Sequence, residues 1–235
     1  MLVSQQWTEA SETCGYLHDR PSLTQYELIA EIEPAEYEER MNAGWRKFGP
    51  CLLRPICESC TACRPIRIRL DDFEPDRSQR RALKRNADLR ICLGQPTVDE
   101  TRLALWKKYH DAQAGLKGWA SHEMSADDYV WKFVLNPMPV TEIAIYEEET
   151  LRAIVIADVT PNVVSGVYHY HDPDCRDRSL GTFALMETIA LAQRLGKRYA
   201  YFGYYVAGCS SMEYKSRFRP SEIMDPEGTW QEIQG

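Results

Sequence analysis

No stretch of the 235-residue chain approaches the ~20 consecutive apolar side chains that a helix needs to cross a bilayer; runs such as AIVIADV fall far short. The amino terminus lacks a charged-then-apolar leader, and no internal repeat or low-complexity tract is present. These absences exclude membrane-spanning helices and solenoids and predict a cytoplasmic protein. Positive charge is in deficit too. The 28 Lys and Arg against 35 Asp and Glu give −7, which argues against a chain that coats itself on nucleic acid.

What is present is an ordinary globular balance, 44% hydrophobic and 27% charged, enough for one substantial core or two small lobes. The charge is unevenly spread. Residues 77–90 carry six basic side chains against one acid, and residues 176–219 carry eight against three, so two basic islands sit in an acidic shell. Such islands suit a localised polyanion site. Eight cysteines without a secretion signal point to thiols or metal ligands rather than a disulfide framework.

In chain order, residues 1–35 read as mostly irregular around Cys14-Gly15-Tyr16-Leu17. Pro34 opens a helix over 35–43 that Gly44 closes, and 45–54 reads as a strand. Cys57, Cys60 and Cys63 follow at even spacing in a loop before an alternating strand over 66–70. Two-residue gaps let several sulfurs face one ion, with Cys14 or Cys51 as a fourth ligand; the competing reading is reduced cysteines packed in a turn. Arg77, Arg80, Arg81, Lys84 and Arg85 fall at i, i+3, i+4, i+7 and i+8, one unrelieved cationic face of a helix suited to phosphate or carboxylate. Helices are expected over 98–114 and 125–135, with Tyr109, His110, Trp119, Tyr129, Trp131 and Phe133 lining core or cleft. Strands over 140–146 and 151–160 form a hairpin around the turn EEET.

Residues 163–219 then read as strand, polar loop, helix, strand. Their loop, RDRSLGTF, sets a glycine and two arginines where N–H groups at a helix start would meet an anion. This resembles the core of GNAT-type acyltransferases: Arg178-Ser179-Leu180-Gly181 is similar to a shortened Arg-x-x-Gly-x-Gly signature, with Phe183 where a second glycine or alanine belongs. The expected fold is α+β, a mixed, largely antiparallel sheet flanked by helices. It would comprise a Cys-containing N-terminal subdomain over 1–75 and a GNAT-like domain over 76–235, packed as one unit.

Taken together, Cys14-Gly15-Tyr16-Leu17, Gly44-Trp45-Arg46, Arg54-Pro55, the three-cysteine loop with Arg64-Pro65, Ser78-Gln79-Arg80-Arg81, Asn86, Tyr168, Asp172, Ser179-Leu180-Gly181, Gly203-Tyr204, Cys209, Met212, Tyr214-Lys215 and Arg219-Pro220 resemble the aminoacyl-tRNA–protein transferases. The resemblance is to the bacterial aspartate/glutamate leucyltransferase branch. Leu17, where arginyl enzymes carry a second cysteine, favours leucine as the amino acid moved. The resemblance implies transfer from aminoacyl-tRNA to proteins beginning with Asp or Glu, a tagging step for degradation. No cofactor is required; a metal or iron–sulfur cluster at Cys14, Cys57, Cys60 and Cys63 is not favoured.

An aminoacyl ester is already activated, so the protein must position an amine, keep it deprotonated and stabilise an oxyanion. Tyr168, His169 and Tyr204 are the catalytic candidates, with His171 as a second proton relay. Arg178, Ser179, Leu180, Gly181, Lys215 and Arg219 are assigned to tRNA, and Arg77, Arg80, Arg81 and Lys84 to the acidic terminus, although that stripe would equally grip the acceptor arm. Cys209 reads as structural, because ester-to-amine transfer needs no thiol nucleophile. Alternative readings are an arginyl transferase with the same acceptors, a coenzyme-A-dependent N-acyltransferase, and a metal-dependent RNA-binding module.

Overall fold

The computed structural model describes residues 1–117 and 123–233; Trp119 lies outside them. Two sheets organise the chain. The smaller is antiparallel, in the order β1-β2-β4-β3, and contains β1 (Leu2–Ser11), β2 (Ser22–Glu31), β3 (Arg46–Phe48) and β4 (Cys51–Pro55). Helix α1 (Pro34–Asn42) connects β2 to β3, with Pro34 in its first turn and a Glu33/Glu36 capping box.

The expectation of an irregular segment over 1–35 is corrected by β1 and β2, ten residues each and paired along their length. Their outer faces are polar, and the inward side of β2 carries Glu27, buried because Arg40 of α1 pairs with it. An acid on the buried face breaks the apolar alternation by which a strand is recognised. The expected strand over 45–54 is two strands turning at Gly49-Pro50.

The larger sheet runs β12-β11-β5-β10-β9-β8-β7-β6. Its strands are β5 (Arg64–Arg69), β6 (Arg90–Gly94), β7 (Val140–Glu147), β8 (Thr150–Val159), β9 (Val163–His171), β10 (Tyr199–Tyr205), β11 (Ser221–Met224) and β12 (Trp230–Glu232). All neighbours are antiparallel except β9 and β10. β5, although early in the chain, thus belongs to this sheet. Helices α2 (Arg77–Arg85) and α5 (Leu180–Arg194) cover one face, while α3 (Glu100–Lys117) and α4 (Ala126–Tyr129) with its π-helical continuation Val130–Val134 lie on the other. A short α6 (Ser210–Glu213) follows β10.

Period-two alternation explains this layering. In β8, Ala153, Val155 and Ala157 face α5, whereas Ile154 and Ile156 join Trp106, Tyr129 and Phe133. Trp131, expected to line core or cleft, is instead exposed, because the π turn rotates it outward between Tyr129 and Phe133. A third cluster, including Tyr37, Trp45 and Leu52 with Val163 and Tyr201, joins the small sheet to the large one.

Gly49 locks the same junction. Its φ is +56°, and a Cβ there would stand 2.2 Å from the Trp131 carbonyl oxygen. Gly49→Ala is therefore expected to lower unfolding stability by about 2 kcal/mol or more, since left-handed strain and a backbone clash combine. Chemical denaturation measures it, and an unchanged midpoint would show that the two lobes do not meet there.

Candidate active site

Strands β9 and β10 pair only over Tyr199–Tyr201 with Val163–Ser165 and then continue unpaired with each other. Each carries an irregularity where they part. The β8–β9 register skips between Ile156 and Ala157, and the β10–β5 register skips between Tyr201 and Tyr204, where Gly203 takes φ +71°. Such bulges bend a strand and re-aim its polar groups. In the resulting fork lies a cavity of about 610 Å³, bounded on one prong by residues 166–169 and His171 and on the other by residues 202–204. The start of α5, α6 with the turn after it, β3, Tyr109 and Gln113 of α3, and Gly15-Tyr16 line the remaining sides, with Tyr37 of α1 and Leu53 of β4.

Three basic side chains are buried among the described residues, Arg46, Lys47 and Lys215, and all three line this cavity. Lys47 is neutralised. Its Nζ lies 3.0 Å from Asp158 Oδ1 and donates to Asn136 Oδ1 at 2.5 Å. Burial pushes the Asp158 carboxyl up, and the Lys47 charge works against that.

Arg46 and Lys215 form no ion pair among the described residues. Arg46 is bound by backbone carbonyls of Met41, Trp45 and Gly203, while Lys215 Nζ donates to Tyr204 O at 2.8 Å. Two buried positive charges thus sit on successive carbonyls of the β10 bulge. Burial, reinforced by the Arg46 charge, lowers Lys215 to about 7, with Cys209 opposing. A lysine so placed can accept and release a proton at neutral pH.

Of the catalytic candidates, Tyr168, His169 and Tyr204 all line the cavity. The Tyr168 hydroxyl lies 2.6 Å from His110 Nε2, whose ring stacks on Trp106 at 3.7 Å. Burial raises Tyr168 well above the usual phenol range, so it stays protonated. Tyr204 donates its hydroxyl to Gly44 O at 2.8 Å, which ties β10 to the small sheet.

The residues assigned to tRNA separate. Gly181 and Lys215 line the cavity, and a Cβ on Gly181 would stand 3.2 Å from His171 Cε1. Arg178 is occupied by Asp88 and Glu147, Leu180 is buried in the main core, and Ser179 takes a left-handed φ of +55° at the start of α5. Arg219 is exposed outside the cavity. Arg77, Arg80, Arg81 and Lys84 are also exposed, on an α2 that packs along α5, and none lines the cavity. The two basic islands do not share this hollow: of their cations only Lys215 reaches it, and Arg46 and Lys47 supply the remaining charge. The signal for these two was GWRKFG, adjacent cations between aromatics in a short strand that cannot solvate both.

The cysteines draw near without closing. Backbone N–H groups of Tyr16 and Leu17 donate to Cys14 Sγ and that of Leu23 to Cys57 Sγ, while burial, with Cys14, Cys57 and Cys60 nearby, pushes Cys63 up to about 12. Among the described residues no three His, Cys, Asp or Glu side chains converge as metal ligands. No step of the chemistry below runs through a metal ion.

Comparison with known proteins identifies the relatives of the chain. A family model for the N terminus of arginine-tRNA-protein transferases matches residues 12–81, and one for their C terminus matches residues 101–225. An aspartate/glutamate leucyltransferase of Campylobacter jejuni subsp. jejuni serotype O:6 is 32% identical, covering 91% of this chain and 90% of that one. One from Pseudomonas aeruginosa strain LESB58 is 35% identical over 89% of each. The crystal structure of FemX shares the fold at TM-score 0.50 and 7% identity, covering 86% of this chain and 69% of that one. With family models spanning both ends of the chain and relatives matching most of its length, this protein belongs to the arginine-tRNA-protein transferase family.

Proposed function

We propose that this protein moves leucine from leucyl-tRNA to the α-amine of proteins beginning with Asp or Glu, within a GNAT-like core whose strand fork receives the aminoacyl ester. The observation that carries this reading is the fork cavity lined by two buried basic side chains, Arg46 and Lys215, that form no ion pair among the described residues. A chamber of about 610 Å³ has room for an amino-acid ester and one terminal residue.

In the reaction the acceptor amine attacks the ester carbonyl, a C–N bond forms, and the ester C–O bond breaks to release the ribose hydroxyl. Lys215 takes the proton that the attacking amine sheds. His110, donating from Nε2 to the Tyr168 oxygen, would free the Tyr168 proton for the developing oxyanion. His169 stands on the same prong as a second proton relay. The coenzyme-A reading is disfavoured, because Arg178, which the GNAT-like signature places at an anion-binding turn, is held by two carboxylates.

The exposed α2 stripe is assigned to the tRNA backbone outside the cavity. Arg77, Arg81 and Lys84 have no ion-pair partner among the described residues and share one helix face. Replacing all three with glutamine is expected to weaken tRNA binding at every sequence alike. It should also reduce the slope of log affinity against log salt by roughly 0.9 per lost phosphate contact. Filter binding over a salt series reads this, and an unchanged slope would remove the stripe from the interface.

The activity itself is tested with radiolabelled leucyl- or arginyl-tRNA and peptides beginning with Asp, Glu or Ala. Label is expected from leucyl-tRNA on the Asp and Glu peptides. Equal labelling of the Ala peptide would overturn the acceptor assignment, preference for arginyl-tRNA the donor assignment, and no label from either the whole reading.

A further inference from the structure

We propose that Arg46 is the residue that reads the acceptor's side-chain carboxylate, gripping it inside the cavity beside Lys215; this rests on the function proposed above. Arg46 is only 7% exposed, and its guanidinium offers five N–H groups. Three are used, Nη1 on Met41 O and Trp45 O at 3.2 and 2.5 Å and Nη2 on Gly203 O at 3.1 Å. The buried Nε has no hydrogen-bond partner. Nε–H and the remaining Nη2 proton are left, and adjacent N–H groups of this kind take both oxygens of a carboxylate.

Three further observations favour an anion from outside the chain. A buried cation without a counter-charge is costly, and of the three buried basic residues only Lys47 has a carboxylate of its own. The rings of Tyr201 and Tyr204 hold the guanidinium with centroids 5.6 and 5.1 Å away, fixing the plane in which a carboxylate must approach. Reach decides between Arg46 and α2. In an N-terminal Asp or Glu the carboxylate lies roughly 3–6 Å from the α-amine, as standard bond lengths dictate. With the amine beside Lys215, its reader must line the same cavity. Arg46 does, and no residue of α2 does.

The test is calorimetric binding of short peptides beginning with Asp, Asn, Glu or Gln to the intact protein, with transfer from leucyl-tRNA measured in parallel. Wild type is expected to bind the Asp peptide at least about tenfold more tightly than the isosteric Asn peptide, the difference a buried charged pair supports. Arg46→Lys keeps the charge and loses the fork, so this ratio should fall severalfold while Asn-peptide binding stays within about twofold. Equal ratios in wild type and a folded Arg46→Lys would overturn the proposal.

Should Arg46→Lys fail to fold, the unmodified protein still decides. A carboxylate read by a buried cation keeps its Asp-over-Asn ratio from about 50 to 500 mM salt, whereas one read by the exposed stripe loses it. Asp-selective binding with no transfer from any tRNA would sink the proposed function and leave the carboxylate site standing. Transfer with equal binding of Asp and Asn peptides would do the reverse.

Discussion

Lys215→Met is expected to lower the rate of transfer by about 10²–10⁴-fold while tRNA affinity holds, the range that loss of a positioned proton acceptor commands. The pH profile identifies the cause. Lys215 loses its proton at about 7, so the wild-type single-turnover rate climbs as pH rises through that value. The variant should keep only the later climb, near the ordinary α-amine value of about 7.7–8.0. Lys215→Arg, charged at every accessible pH, should be as inactive as the methionine variant.

Stability separates this from a folding defect. The folded-state value of Lys215 lies below the unfolded one, so between about 7 and 10.4 the unfolded chain binds more protons and wild-type stability rises with pH. Below 7 the full cost of the buried charge is paid. Methionine removes that cost and leaves the Tyr204 carbonyl without its donor, two effects of opposite sign. The melting temperature at pH 6–7 should therefore not drop. A variant that melts several degrees lower would make Lys215 a structural residue instead.

Lys47→Met should be the most destabilising substitution at the cavity. It leaves Asp158, fully buried, without the cation that offsets its desolvation, and losing one partner of such a pair costs about 3–5 kcal/mol. The direction with pH follows from the Asp158 carboxyl already being raised by burial. Without Lys47 it rises further, so the folded variant holds a proton that the unfolded chain gives up near 3.9. Its stability then falls as pH climbs from about 4 and recovers on acidification. Lys47→Met with Asp158→Asn should regain most of the loss in urea unfolding at neutral pH. A single variant as stable as the double one would show that the pair is not the strut of the cavity wall.

Much of the fold was legible where one face of an element is uniformly apolar or uniformly charged. α5 and β7 to β10 were recognisable because apolar residues dominate each of them, even with one acid buried in β7 (Glu142), in β8 (Asp158) and in α5 (Glu187). α2 is correct for a different reason, its capping box of Asp76 and Gln79 preceding an all-cationic stripe. β1 and β2 were harder to read because β1 is exposed along most of its length and the buried face of β2 carries Glu27, an acid held by Arg40 of α1 and Gln6 of β1, both on other elements.

The site was partly hidden for the same reason. Tyr168, His169, Tyr204, Gly181 and Lys215 were singled out and do share the cavity. Yet Lys215 could not be distinguished from the exposed cations around it, since its burial comes from the bulge at Gly203 and the packing after α6. Asp158 stood in plain view as the lone acid in AIVIADV. Its partner lies more than a hundred residues away, and a pairing of that kind is set by the sheet rather than by any local pattern.

The central claim is that the aminoacyl end of the tRNA enters the fork between β9 and β10. A non-hydrolysable leucyl-tRNA mimic with a photoreactive group on its amino-acid side chain tests this directly, with cross-linked residues mapped by mass spectrometry. The account predicts cross-links within residues 166–171 and 202–204, suppressed by an Asp-starting peptide. Cross-links confined to residues 77–85 of α2, with the fork unlabelled, would contradict it.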